Sequence, residues 1–186
     1  VDENSPKGTP VDSIRWFDYD EFDKEGLHFE ISSDPSGCFE IDPKTGFVTV
    51  KKDKCAALDH EKNPTLDIEV SATDMVYVTD ASRIRGAPNT IKKKITVNVH
   101  DVNEPPHLDD TTFTVSEFKK PGTVIDTVVG HDPDTKNPEF SKLTYSMVKG
   151  DSTKFKVNPT TGEIVLLDSL DYETKNEYKI DVRVYD

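Results

Sequence analysis

Apolar and polar positions alternate along this chain in short bursts. Ile68, Val70 and Ala72 are interleaved with Asp67, Glu69 and Ser71, and Ile95, Val97 and Val99 with Lys94, Thr96 and Asn98. Ile180, Val182 and Val184 repeat the pattern. A period of two is that of a half-buried strand, because successive side chains point to opposite faces. The stretches "DPKTGF" (42–47) and "NPTTGE" (158–163) read as hairpin turns, with proline setting one φ and glycine able to take φ > 0. No convincing helical run interrupts these elements.

Self-comparison shows the same blocks twice. "VDENSPKGTPVDSI" (1–14) aligns with "VSEFKKPGTVIDTV" (115–128), setting Glu3 on Glu117. "FDYD" (17–20) meets "HDPD" (131–134), and "FEIDPKTGFVTV" (39–50) meets "FKVNPTTGEIVL" (155–166). "LDHE" (58–61) meets "LDYE" (170–173), and "IEVSATD" (68–74) meets "IDVRVYD" (180–186). Five blocks in one order predict tandem repeats, 1–104 and 105–186. About seven strands in roughly 110 residues fit a two-sheet sandwich, so the expected fold is all-β, two Greek-key, immunoglobulin-like sandwiches end to end. The first repeat leaves little room for an initial strand before Glu3, and the second stops at Asp186 without the last strand of the first. The chain therefore reads as a segment of a longer array.

Charge narrows the chemistry. The 186 residues include 36 acidic and 23 basic side chains, a net charge of −13. That balance argues against nucleic acid or an anionic membrane surface and favours multivalent cations. No run of 18 apolar residues is present to span a bilayer. Cys38 and Cys55 match no zinc spacing. Cys55 lies in a connection that is four residues longer in the first repeat than in the second, and the sequence leaves its pairing with Cys38 open. The five histidines show no paired spacing. No nucleophile elbow, Ser-His-Asp order or phosphate loop occurs. Acids that recur once per repeat are unlike a single active site, so no enzyme is expected.

In that order and number, Glu3 and Glu117, "DYD" and "DPD", "LDHE" and "LDYE", "SATD" and "VYD", and the linker "DVNEPP" (101–106) resemble the extracellular repeats of the cadherin superfamily. The resemblance covers essentially the whole chain. It implies about three calcium ions at the inter-repeat linker. It assigns to them Glu3, Asp59, Glu61, the Val102 carbonyl, Asn103 and Glu104 from the first repeat, and Asp132, Asp134 and Asp186 from the second. The linker is one residue shorter than the usual form and has Glu104 for its central Asp, and Asp101 falls outside the direct ligand set. Asp18, Asp20 and Asp74, and at the other end Glu117, Asp171 and Glu173, would be half-sites for neighbouring repeats, weak or empty in this segment. The resemblance further implies calcium-dependent cell–cell adhesion on the extracellular side of the plasma membrane, with other cadherin-type ectodomains as partners. The alternative is a receptor stalk that presents a ligand-binding face.

The residue chemistry supports the same ion. Calcium takes 6–8 oxygens in adaptable geometry, magnesium demands a tighter octahedron, and soft metals do not suit oxygen-only donors. If the segments are extended, Asp59 and Glu61 face one site while His60 turns aside, and Asp132 and Asp134 behave likewise. Pro105 and Pro106 stiffen the chain beyond Glu104. Trp16 reads as packing, and the connection 75–90, with Arg83 and Arg85, as an elaborated hairpin more than a recognition surface.

Overall fold

A computed structural model describes residues 1–15, 27–74 and 89–186. Trp16, Asp18, Asp20, Arg83 and Arg85 lie outside them. Regular structure among the described residues is strand only, and the chain divides into two units, Val1–Val102 and Asn103–Asp186.

The first unit contains β1 (Pro10–Ser13), β2 (Leu27–Ser33), β3 (Phe39–Ile41), β4 (Phe47–Val50), β5 (Thr65–Asp74) and β6 (Thr90–Asn98). They form two antiparallel sheets in the orders β1-β4-β3 and β2-β5-β6. The alternating apolar positions supply the core: Ile68 and Val70 from β5 and Val97 from β6 bury with Phe39, Val48, Val50 and Leu58. Complete burial of Phe29, Leu58 and Ile68 contributes about 1.5–3 kcal/mol for each side chain. Ser71 breaks the alternation. It is fully buried, and its hydroxyl donates to Glu30 Oε1 at 2.9 Å, which meets the requirement that a buried polar group find a partner.

The chain start is better used than the sequence suggests. Asp2 bridges His100 in parallel, the Val1 nitrogen donates to the Asn98 carbonyl at 2.9 Å, and His100 N–H donates to the Val1 carbonyl at 2.8 Å. These contacts fasten Val1 and Asp2 to the end of β6.

Cys38 and Cys55 form a disulfide with Cα atoms 5.7 Å apart. This settles the pairing and pins the long connection after β4 to the start of β3.

The hairpin turns take the expected form. At the β3–β4 turn Gly46 has φ +70°, and the Asp42 carboxylate accepts the N–H groups of Lys44 and Thr45 at 2.9 and 2.8 Å. The Thr45 and Lys44 backbone donors hold Asp42 below the ordinary carboxylate value. A carboxyl depressed on folding contributes stability that is present above its unfolded pKa and lost as pH falls through the folded one. The second repeat places Asn158 at this position, where its side-chain oxygen accepts from Thr160 N–H at 3.0 Å. Asp42→Asn should therefore keep the turn and flatten the fall of the melting temperature below about pH 4. Melting curves from pH 6 to pH 3 with an unchanged acid slope would remove Asp42 from that role.

The second unit contains β7 (His107–Leu108), β8 (Val124–Thr127), β9 (Gly130–His131), β10 (Thr144–Lys149), β11 (Phe155–Val157), β12 (Glu163–Leu166) and β13 (Asp181–Tyr185). Their sheets are β8-β12-β11, β10-β13 and β7-β9. Tyr145, Phe155, Val157, Ile164 and Leu166 form its core, with Ile180, Val182 and Val184 packed against it as the alternation requires. Gly130 is explained by space: a Cβ there would sit 2.9 Å from Leu143 and 3.0 Å from Val184, and its N–H donates to the Tyr145 hydroxyl at 3.0 Å.

Candidate calcium half-sites

Glu3 organises the acidic end of the first unit. Its carboxylate is buried and accepts two backbone N–H groups, from His60 to Oε2 and from Val102 to Oε1, both at 2.8 Å. One side chain thus ties together the chain start, the "LDHE" segment and the start of the linker. Around it, Glu3, Glu61 and Asp101 each offer one carboxylate oxygen within 4.8 Å of the others.

The local backbone differs from the extended form expected for 59–61. Asn63 N–H donates to the Asp59 carbonyl at 2.8 Å, which closes a helical-type turn. The i, i+2 argument holds only for a strand, so it does not carry over to Asp59 and Glu61. The Asp59 carboxylate instead caps its own turn, accepting Lys62 N–H at 3.0 Å and pairing with Lys62 Nζ. His60 does not turn aside: a ring nitrogen groups with Glu61 and Asp101, while Nδ1–H donates to the Val99 carbonyl at 2.8 Å. Asp101, placed outside the ligand set by sequence, stands inside this cluster. Val102 and Asn103 are exposed.

In the second unit, Asp132 and Asp134 form an Asx-type turn in place of two extended residues. Asp132 Oδ1 accepts Asp134 N–H at 2.9 Å, and Asp134 Oδ2 accepts Glu104 N–H at 2.8 Å. The second oxygen of Asp132 is buried and makes no hydrogen bond among the described residues. Asp186 follows β13, is exposed, and belongs to none of the metal-competent groups found among the described residues.

The far end of the second unit repeats the first. Glu117 Oε2 accepts Tyr172 N–H at 2.7 Å, as Glu3 accepts His60, and Lys175 N–H donates to the Asp171 carbonyl at 2.9 Å, as Asn63 does to Asp59. The Thr174 hydroxyl and N–H, with Glu173 N–H, hold Asp171 below the ordinary carboxylate value. Asp74, at the end of β5, is engaged by Asn89, whose side-chain amide donates to Oδ2 at 3.0 Å.

These donors suit calcium. They are carboxylate oxygens oriented by backbone N–H groups, and one buried oxygen still has an open acceptor position. Two carboxylates about 4 Å apart repel by roughly 1 kcal/mol in water and about 4 kcal/mol at an effective dielectric of 20. A divalent ion reverses that sign.

Paired three-stranded sheets in the first unit, a matching core in the second and a recurring Glu-to-turn fastening define tandem immunoglobulin-like β-sandwich repeats with acidic ends. The family model for the cadherin domain matches residues 1–100 and 111–186. The chain belongs to the cadherin family. It is 29% identical to chicken Cadherin-7 over 191 residues, covering 98% of this chain and 23% of that protein. It is 32% identical to human Protocadherin Fat 4 over 163 residues, covering 86% of this chain and 3% of that protein. The chain thus spans less than a quarter of either relative. Among solved structures, human Protocadherin-24 EC1-2 superposes with a TM-score of 0.70 at 24% identity, covering 98% of this chain and 79% of that one. Mouse Cadherin-23 EC22-24 does so with a TM-score of 0.67 at 23% identity, covering 99% and 60%. Cadherin domains in general bind calcium. The family's members are adhesion-related, non-enzymatic ectodomains of membrane proteins.

Proposed function

We propose that this segment is a calcium-stiffened element of an adhesive ectodomain on the extracellular side of the plasma membrane. The observation that carries the reading is the gathering of Glu61 and Asp101 around Glu3, whose carboxylate is held by two backbone N–H groups, in the unit that ends at the linker. In the second repeat Asp132 and Asp134, with Glu104 attached, are the acids that the family resemblance assigns to the same ions. Only Val102 and Asn103 separate Asp101 from Glu104, a contour of at most about 11 Å. Calcium would be held by Glu3, Glu61, Asp101, Asp132 and Asp134, with Asn103 and the Val102 carbonyl available to it. Its contribution is positive charge among acids that otherwise repel, which favours a stiff linker over a loose one. About three ions fit the number of donors that the family resemblance assigns. The partners proposed are other cadherin-type ectodomains, of the same or another kind.

Thermal unfolding in millimolar calcium and in excess chelator tests the metal. Calcium should raise the transition, and Asp134→Ala should weaken the calcium response at least tenfold. A transition that chelator leaves in place would count heavily against the proposal. Beads coated with the segment test adhesion separately. Calcium-dependent aggregation lost on exchanging Arg83 and Arg85 supports an adhesive face, whereas unchanged aggregation with loss of a soluble ligand favours a receptor stalk.

A further inference from the structure

His107 and His131 are 24 positions apart in sequence, yet they are direct partners in the antiparallel pair β7–β9. Residues directly opposite in such a pair project from the same face with Cβ atoms about 4.5–5.5 Å apart. Both are exposed, so an ion can reach them from solvent. His107 Nε2 lies 2.8 Å from Asp109 Oδ1. An ionised carboxylate only accepts, so Nε2 carries the proton of this contact, and in the neutral ring Nδ1 then keeps its lone pair. A carboxylate behind one imidazole nitrogen is the usual support for a histidine whose other nitrogen binds a metal; it fixes the tautomer and raises ligand basicity.

We infer that His107 and His131 form a surface site for an imidazole-seeking divalent ion, with Asp109 orienting His107, and zinc is the ion to which the pair is assigned. The site is separate in chemistry from the oxygen cluster. Calcium and magnesium prefer oxygen donors, whereas imidazole suits zinc, copper and nickel. Water would complete the coordination, so the affinity rests on the two rings and on their fixed spacing. The consequence is local. β7 follows the linker directly and β9 leads into Asp132, so an ion joining the rings would cross-link the two segments that carry Glu104 and Asp132. The inference does not depend on calcium binding.

Zinc titrations of the whole chain, by calorimetry in saturating calcium, test it. His107→Ala and His131→Ala should each lower zinc affinity at least tenfold, and Asp109→Asn about 10–100-fold. In the unaltered protein, zinc should perturb the ring-proton resonances of His107 and His131 before those of other histidines, a readout free of folding effects. Affinities within twofold of the parent in both histidine variants would overturn the site. So would loss of zinc binding that follows His60→Ala, since His60 is the ring beside Glu61 and Asp101.

Discussion

Replacing both cysteines, as Cys38→Ala with Cys55→Ala, is expected to destabilise the first repeat by about 3 kcal/mol, the loop-closure value for a bridge spanning roughly this length. The half-cystines are 17 residues apart and almost wholly buried, so the bridge is part of the core as well as a staple. For a domain of 60–100 residues, such a loss lowers the melting temperature by on the order of 12–24 °C. The effect should extend to the acidic end. Cys55 accepts from Leu58 N–H at 2.9 Å, and Leu58 accepts from Asn4 N–H at 3.0 Å, next to Glu3. Urea unfolding, with the transition of each repeat followed separately, measures it. A first-repeat midpoint within error of the parent would mean that core packing alone holds the long connection.

Glu3→Gln should produce an effect whose size depends on calcium. The parent carboxylate satisfies the N–H groups of His60 and Val102 with its two oxygens. Glutamine has one oxygen, so one buried donor loses its acceptor, at a cost of about 1–3 kcal/mol. Removing a negative charge from the cluster with Glu61 and Asp101 works the other way, relieving on the order of 1 kcal/mol of repulsion or more when no cation is present. In chelator the two effects oppose; in calcium the relief vanishes and a ligand is lost as well. The variant should therefore be much more destabilised in calcium than in chelator. Equal destabilisation in both conditions would confine Glu3 to a structural role.

Sequence legibility follows the range of the interactions. β5, β6 and β13 were readable because alternation is a local property of a strand, and both turns because Asp42, Asn158 and the glycines act within five residues. The repeat itself exposed Glu3 and Glu117 as equivalents. What could not be read depends on distant backbone. Glu3 is fastened to residues 57 and 99 positions away, and no pattern marks a side chain that accepts from such partners. At 59–61 the backbone departs from the extended form because Asn63 closes a turn there, which two-residue periodicity does not signal. The facing of His107 and His131 is not legible because only the pairing of two short strands brings them opposite one another. A glutamate recurring at the same place in two repeats, ahead of a recurring acidic turn, was the signal available for the fastening.

The outer strand of the first repeat has one more consequence. β6 is last in its sheet among the described residues, and Lys92 and Lys94 reach back to Glu69 and Asp67 on β5 at 3.0 and 2.7 Å. They put ammonium groups along a rim whose backbone could otherwise template another chain. Two such rims brought together would set lysine against lysine, which guards the repeat against fibril-like stacking.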